Sequence, residues 1–208
     1  RESIITCELL MADLLGTALD DVLDGTSNSD RIFGFEGNDR IFAQNGSDTI
    51  DAGIGDDYIV GEAGDDVILA SSGTDFIDGR DGNDTLAAGE GNDEIQGGED
   101  NDILFGNLGN DLLMGGVGND TIAAGADNDR LFGDDGENQL FGNRGNDEIY
   151  GGEEDDNLYG GQDDDFLAGN DGEDELKGEL GNDRLIGVDD SASNPGRNEI
   201  DTLIGGDG

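Results

Sequence analysis

Apolar side chains along this chain follow neither the helical spacing nor the strict alternation of a long strand. They recur every nine residues. From Gly16 to Ile186 the sequence divides into nineteen consecutive nonapeptides without one insertion or deletion. Position eight of the nonapeptide is always Leu or Ile, from Leu23, Ile32, Ile41 and Ile50 to Leu176 and Leu185. Position one is Gly or Ala, as at Gly79, Gly97, Ala52 and Ala88, so it stays small. Position six is Asp in every copy except the one carrying Asn138. Gly, Asn and Asp supply positive φ early in the repeat, whereas its last three positions favour Ile, Leu, Phe, Tyr, Val and Thr. Each copy therefore predicts about six turn residues and a three-residue strand, with position eight facing inward and positions seven and nine outward.

One such strand has no partner of its own, but two nonapeptides close a flattened coil of eighteen residues and stacked coils bring residues 18 apart into register. The predicted fold is all-β, a parallel β-roll: a right-handed two-sheet solenoid of about nine coils and about 45 Å. The chain divides into an N-terminal leader or cap at 1–15, the roll at 16–186, a degenerate loop repeat at 187–195 and a resumed repeat at 196–208. The 187–195 segment keeps the nine-residue length but lacks Asp and Leu at their positions. The pattern returns at Asp201, Thr202, Leu203 and Ile204.

Charge changes the question from shape to stability. The 208 residues carry 53 Asp and Glu against 9 Lys and Arg, a formal charge of −44. The sign of that field excludes nucleic acid and disfavours anionic membranes, which leaves cations as the natural partner. No run approaches the roughly 20 apolar residues of a membrane helix. Cys7 is the single cysteine and there is no His, so neither an internal disulfide nor a zinc ligand set is available. The Leu and Ile column is too small a core to offset the ordering of so long a chain, and the turns stack carboxylates above one another. The roll should not form without a bound cation.

Ligand chemistry follows from the stacking. The position-six residues are Asp21, Asp30, Asp39, Asp48, Asp57, Asp66, Asp75, Asp84, Asp93, Asp102, Asp111, Asp120, Asp129, Asp147, Asp156, Asp165, Asp174 and Asp183, with Asp201 in the resumed repeat. Asp at i and i+18 bring two carboxylates to one gap between coils, where backbone carbonyls also converge. Hard oxygen donors in flexible geometry suit calcium, which takes six to eight, better than magnesium, which demands a tight octahedron. Fifteen intact Asp pairs lie between Gly16 and Ile186, and filling all of them would bring the formal charge from −44 to −14.

Segments such as Gly115-Gly116-Val117-Gly118-Asn119-Asp120-Thr121-Ile122-Ala123 resemble the hemolysin-type calcium-binding repeat of RTX proteins. The resemblance implies that carbonyls of positions two and four and the position-six Asp bind an ion from one turn. The turn 18 residues later would add carbonyls one and three and its own Asp. A clean site would join Gly89, Gly91 and Asp93 to Gly106, Leu108 and Asp111, and further carbonyl ligands would come from Gly37, Gly55, Gly64, Gly73, Gly82, Gly109, Gly118 and Gly145. The best block runs from the Asp39/Asp57 pair to Asp93/Asp111. Sites should weaken where position four is not glycine, at Leu19, Asn28, Asp100, Asp127, Glu154 and Asp163, and beside the neutral Asn138. About nine to fifteen calcium ions are expected. A monomer is expected, and the resemblance further implies a secreted or cell-surface bacterial module, exported by type I secretion through a signal beyond Gly208. It would fold in extracellular calcium and stabilise, space or help export a larger protein.

Other readings are weaker. No His and no nucleophile with a base lies outside the repeats, so the segment is not expected to be catalytic; an accessory role beside a peptidase, lipase, cytolysin or epimerase is the alternative. An acidic disordered calcium buffer is a second. EF-hand loops need flanking helices and a twelve-residue frame, and no Lys follows the GxG fragments as a phosphate loop requires. Phe33, Phe42, Phe105, Phe132, Phe141, Tyr150 and Tyr159 occupy the outward position nine, where Phe132/Tyr150 and Phe141/Tyr159 should stack.

Overall fold

The computed structural model describes residues 13–188 and 201–206; Cys7 lies outside them. Twenty-one strands run in chain order among the described residues, from β1 (Asp13–Leu15) to β21 (Thr202–Ile204). Odd-numbered strands form one sheet of 11 and even-numbered strands a second of 10, each with its strands in sequence order. Every pairing is parallel. Between β9 (Thr85–Glu90) and β11 (Ile103–Leu108), Thr85 faces Ile103, Leu86 faces Leu104 and Ala87 faces Phe105. This is the two-sheet parallel solenoid that the period of nine predicts, with consecutive copies alternating between sheets.

The strands are longer than expected. Most span six residues, joining positions seven to nine of one copy to positions one to three of the next, so only positions four to six form the turn. Inward alternation explains the extension. In β9 both Leu86 and Ala88 are fully buried while Ala87 between them faces outward. The small residue at position one, read from sequence as part of a turn, fills a second inward column beside Leu or Ile. Glycine there keeps the sheet thin and does not mark a turn.

From the third copy onward two positions per copy take positive φ. Position four does so at Gly91 (φ 149) and Gly109 (φ 125), where an added Cβ would lie 1.5 Å from the carbonyl oxygen of the turn before it. Asp100, Asp127, Glu154 and Asp163 keep the turn with φ between 69 and 82, so these non-glycine copies hold the same fold at left-handed strain. Position two accepts Phe35, Gln44 and Arg80 near φ 80, its side chains pointing outward, where Phe35 stacks on Phe33 and Arg80 pairs with Glu62 and Asp78.

The core is a single layer of Ile, Leu and Ala from Ile32 to Leu176 between the sheets. Outside, Phe132 stacks on Tyr150 (5.0 Å between centroids, 4° between planes) and Phe141 on Tyr159 (4.9 Å, 10°), as expected. A third stack, Tyr58 on Phe76 at 4.9 Å, is built from position seven.

Register breaks once. β19 (Glu175–Leu180) pairs with β21 so that Glu175 faces Thr202 and Leu176 faces Leu203, an offset of 27 in place of 18. Nine more residues than the period requires therefore separate β20 (Arg184–Val188) from β21. Asp201 takes the turn place that its own sequence pattern marks, accepting from the Asp174 N–H at 3.2 Å. Residues 189–200, which hold most of the expected loop, lie outside the described ones.

Candidate calcium-binding turns

Each turn is stitched to its neighbours by two ladders of opposite polarity. The backbone N–H of a position-six residue donates to Oδ1 of the carboxylate 18 residues later, as from Asp93 to Asp111 (2.9 Å) and Asp102 to Asp120 (2.8 Å). At position five the acceptor lies in the preceding coil: Asn110 N–H donates to Asn92 Oδ1 (2.8 Å) and Asn119 N–H to Asn101 Oδ1 (2.7 Å). This second ladder was missed from the sequence. Its signal was available, because every position five from Asp20 to Asn182 carries a side-chain oxygen.

The carboxylates are nearly inaccessible. Asp30 to Asp174 at position six are at most 3% exposed. With Oδ1 committed to the ladder, Oδ2 of Asp39 to Asp165, and again of Asp183, is buried with no hydrogen-bond partner among the described residues. Fifteen such oxygens would each cost about 1–3 kcal/mol, and more when charged, if nothing met them. Burial accordingly raises the carboxyl pKa values, against the lowering effect of the backbone N–H. Asp48, Asp57 and Asp111 are raised to about 6, Asp66 and Asp75 to about 7, and Asp102, Asp129 and Asp156 to about 8. Neighbouring carboxylates add to the rise.

What faces Oδ2 is more oxygen. A Cβ placed on Gly79 would meet Asp84 Oδ2 and also lie 2.7 Å from the Gly97 carbonyl oxygen of the following coil, so the two acceptors converge on one point. Gly106, with Asp111 Oδ2 and the Ala124 carbonyl oxygen at 2.6 Å, repeats the arrangement. Asn138 identifies a third member of the set. Its Nδ2 occupies the place of Oδ2 and donates to the position-four carbonyl of Gly136 at 2.9 Å, while its Oδ1 still accepts from Asp120 N–H at 2.8 Å. In the Asp copies the same two places hold two acceptors. A cation satisfies them where an N–H cannot, and hard oxygens in this number fit calcium.

In the first two copies a threonine supplies donors to Oδ2. Asp21 Oδ2 accepts from the backbone N–H and hydroxyl of Thr17 (2.6 and 2.8 Å), and Asp30 Oδ2 from those of Thr26 (2.6 and 3.0 Å). Neither Leu19 nor Asn28 takes positive φ. The six residues Gly89, Gly91, Asp93, Gly106, Leu108 and Asp111 do meet across one gap. Asp93 N–H bonds Asp111 Oδ1 and Gly91 N–H bonds the Leu108 carbonyl (both 2.9 Å), while the Leu108 side chain is half exposed and takes no part.

Among the described residues no helix is long and apolar enough to cross a membrane. A search of curated proteins finds no match. The RTX calcium-binding nonapeptide repeat matches in eight overlapping four-copy windows, from residues 15–50 through 78–113 to 150–185. The repeat is a structural calcium-binding module and not a catalytic one. Buried carboxylates whose Oδ2 atoms meet carbonyls, repeated along a parallel two-sheet roll, are what such a repeat builds, and the chain belongs to the RTX calcium-binding nonapeptide repeat family.

Proposed function

We propose that this chain is a calcium-dependent folding switch in a secreted or cell-surface protein. Ions would sit between successive coils, held by the position-six Asp pairs and by carbonyls one to four of the two turns, as in the Gly89, Gly91, Asp93, Gly106, Leu108 and Asp111 set. The row of fifteen buried, unpartnered Oδ2 atoms carries this reading, because a roll with so many uncompensated acceptors is not stable alone. At cytosolic calcium the chain stays unfolded and exportable. At millimolar calcium outside the cell, sites of about 10⁻⁴ to 10⁻³ M fill and the roll forms. About nine to fifteen ions would bind, within residues 16–186 and at Asp201, and the rigid roll would stabilise, space or aid export of a larger protein.

Circular dichroism during a calcium titration tests this. The expected result is a cooperative gain of β signal with a midpoint near 10⁻⁴ to 10⁻³ M, which magnesium does not reproduce. Calcium binding without gain of structure would refute it and favour a disordered buffer.

A further inference from the structure

The two outer faces of the roll differ in charge. On the six odd-numbered strands from β7 (Val67–Ser72) to β17 (Asn157–Gln162), only Glu90 and Arg144 are charged among 24 outward positions. On the six even-numbered strands from β6 (Tyr58–Ala63) to β16 (Glu148–Glu153), eleven of 24 are. The quiet face also carries exposed Val67 (43%), Leu69 (46%), Ile103 (40%), Phe105 (37%) and Leu108 (51%). In a chain of formal charge −44 this is, among the described residues, a broad surface where two copies could meet without opposing carboxylates.

We propose that the calcium-loaded roll forms a two-fold dimer through this face, the axis lying parallel to the strands between β11 and β13 (Thr121–Ala126). The inference rests on the calcium-folded roll and departs from the expected monomer. Rotation about that axis lays β9 on the partner's β15 (Gln139–Arg144), and β5 (Thr49–Ile54) on the partner's β19, with equal repeat positions facing. Glu90 then opposes Arg144, both at position three, and Asp51 opposes Lys177, both at position nine; each pair occurs twice. Ala87 opposes Phe141 and Phe105 opposes Ala123, small against large, while Ile54 opposes Leu180. Nowhere from β5 to β19 does like charge face like charge. Eight strands at about 4.8 Å and about 20 Å of strand length give about 750 Å² per copy, hence about 1,500 Å² in all, within the range of specific interfaces.

Sedimentation velocity of the whole chain in saturating calcium, with circular dichroism to verify the roll, tests the proposal. The expected result is a monomer–dimer equilibrium at micromolar concentration. Arg144→Glu, which opposes Glu90 with a second Glu twice per dimer, should weaken it at least tenfold, and the exchange Glu90→Arg/Arg144→Glu should restore it. A folded chain that stays monomeric at all concentrations overturns the dimer; so does a dimer indifferent to Arg144→Glu, an assembly of another size, or a double variant that fails to recover. Loss of β signal in the unmodified chain would instead be failure of the calcium-folded roll.

Discussion

Replacing Asn138 with Asp changes one atom and tests whether a cation is what the turns lack. In the native chain Asn138 Nδ2 donates to the Gly136 carbonyl at 2.9 Å. Asn138→Asp puts an acceptor there. Without metal the folded roll loses a buried neutral hydrogen bond, about 1 kcal/mol, and gains an unpartnered carboxylate oxygen, about 1–3 kcal/mol, a deficit of about 2–4 kcal/mol. The turn also becomes able to take an ion. For a site of about 10⁻⁴ M, calcium at 1 mM returns about 1.4 kcal/mol, and each further tenfold adds about another 1.4 kcal/mol. Urea denaturation of both proteins at several calcium concentrations measures the gap, and equilibrium dialysis counts the ions. The deficit should shrink by about 1.4 kcal/mol per decade of calcium, with at least one more ion bound per chain at saturation. A deficit independent of calcium, with unchanged stoichiometry, would refute the reasoning.

Further expectations concern pH and the turn glycines. The unfolded carboxyls titrate near 3.8 and the folded, metal-free ones as high as about 8 for Asp102 and Asp129. Protonation therefore stabilises the metal-free roll fully below the unfolded value, and that contribution is lost as pH rises through about 6 to 8. In the proposed switch the metal-free chain is unfolded and its carboxyls are already ionised between pH 8 and 5.5. Calcium-coupled folding should therefore release few protons, and its midpoint should change little over that range, rising only as pH falls towards the unfolded carboxyl value; large proton release on binding would show that a protonated, metal-free roll precedes calcium. Gly109→Ala places a Cβ against the Gly91 carbonyl at φ 125 and should cost at least about 3 kcal/mol, read as a higher calcium midpoint. Gly89→Asn places a Cβ against the Ser71 carbonyl at φ 122, but Asn107 and Asn143 hold the same position two at φ 80 and 78, so a backbone shift to that geometry should let it cost less than Gly109→Ala. Equal effects of the two would contradict the assigned turn geometry.

Much of this architecture is legible because each coil sees the same environment. Leu or Ile at position eight and Asp at position six each answer to one spatial constraint repeated at a fixed interval, so a column in sequence is a column in space. What stays hidden depends on more than one coil at a time. Gly and Ala at position one look like turn formers until the opposite sheet shows them buried. The Asn ladder at position five is readable only once hydrogen-bond direction between coils is known. Thr17 and Thr26 act as caps because they stand at the end of the stack, where their N–H and hydroxyl groups reach Asp21 and Asp30. The charge asymmetry between faces escapes a repeat-by-repeat reading, since it resides in alternate copies. The 27-residue step at β21 was half legible: lost Asp and Leu marked a break in the pattern, but only strand pairing shows the size of the offset.

The account turns on calcium creating the roll, and small-angle X-ray scattering with and without the ion tests that most directly. In excess calcium the radius of gyration should be about 17–20 Å, as for a compact chain of this length, and in EDTA it should approach about 50 Å. Equal, compact values in both would show that the stacked carboxylates do not need a cation and would contradict the central claim.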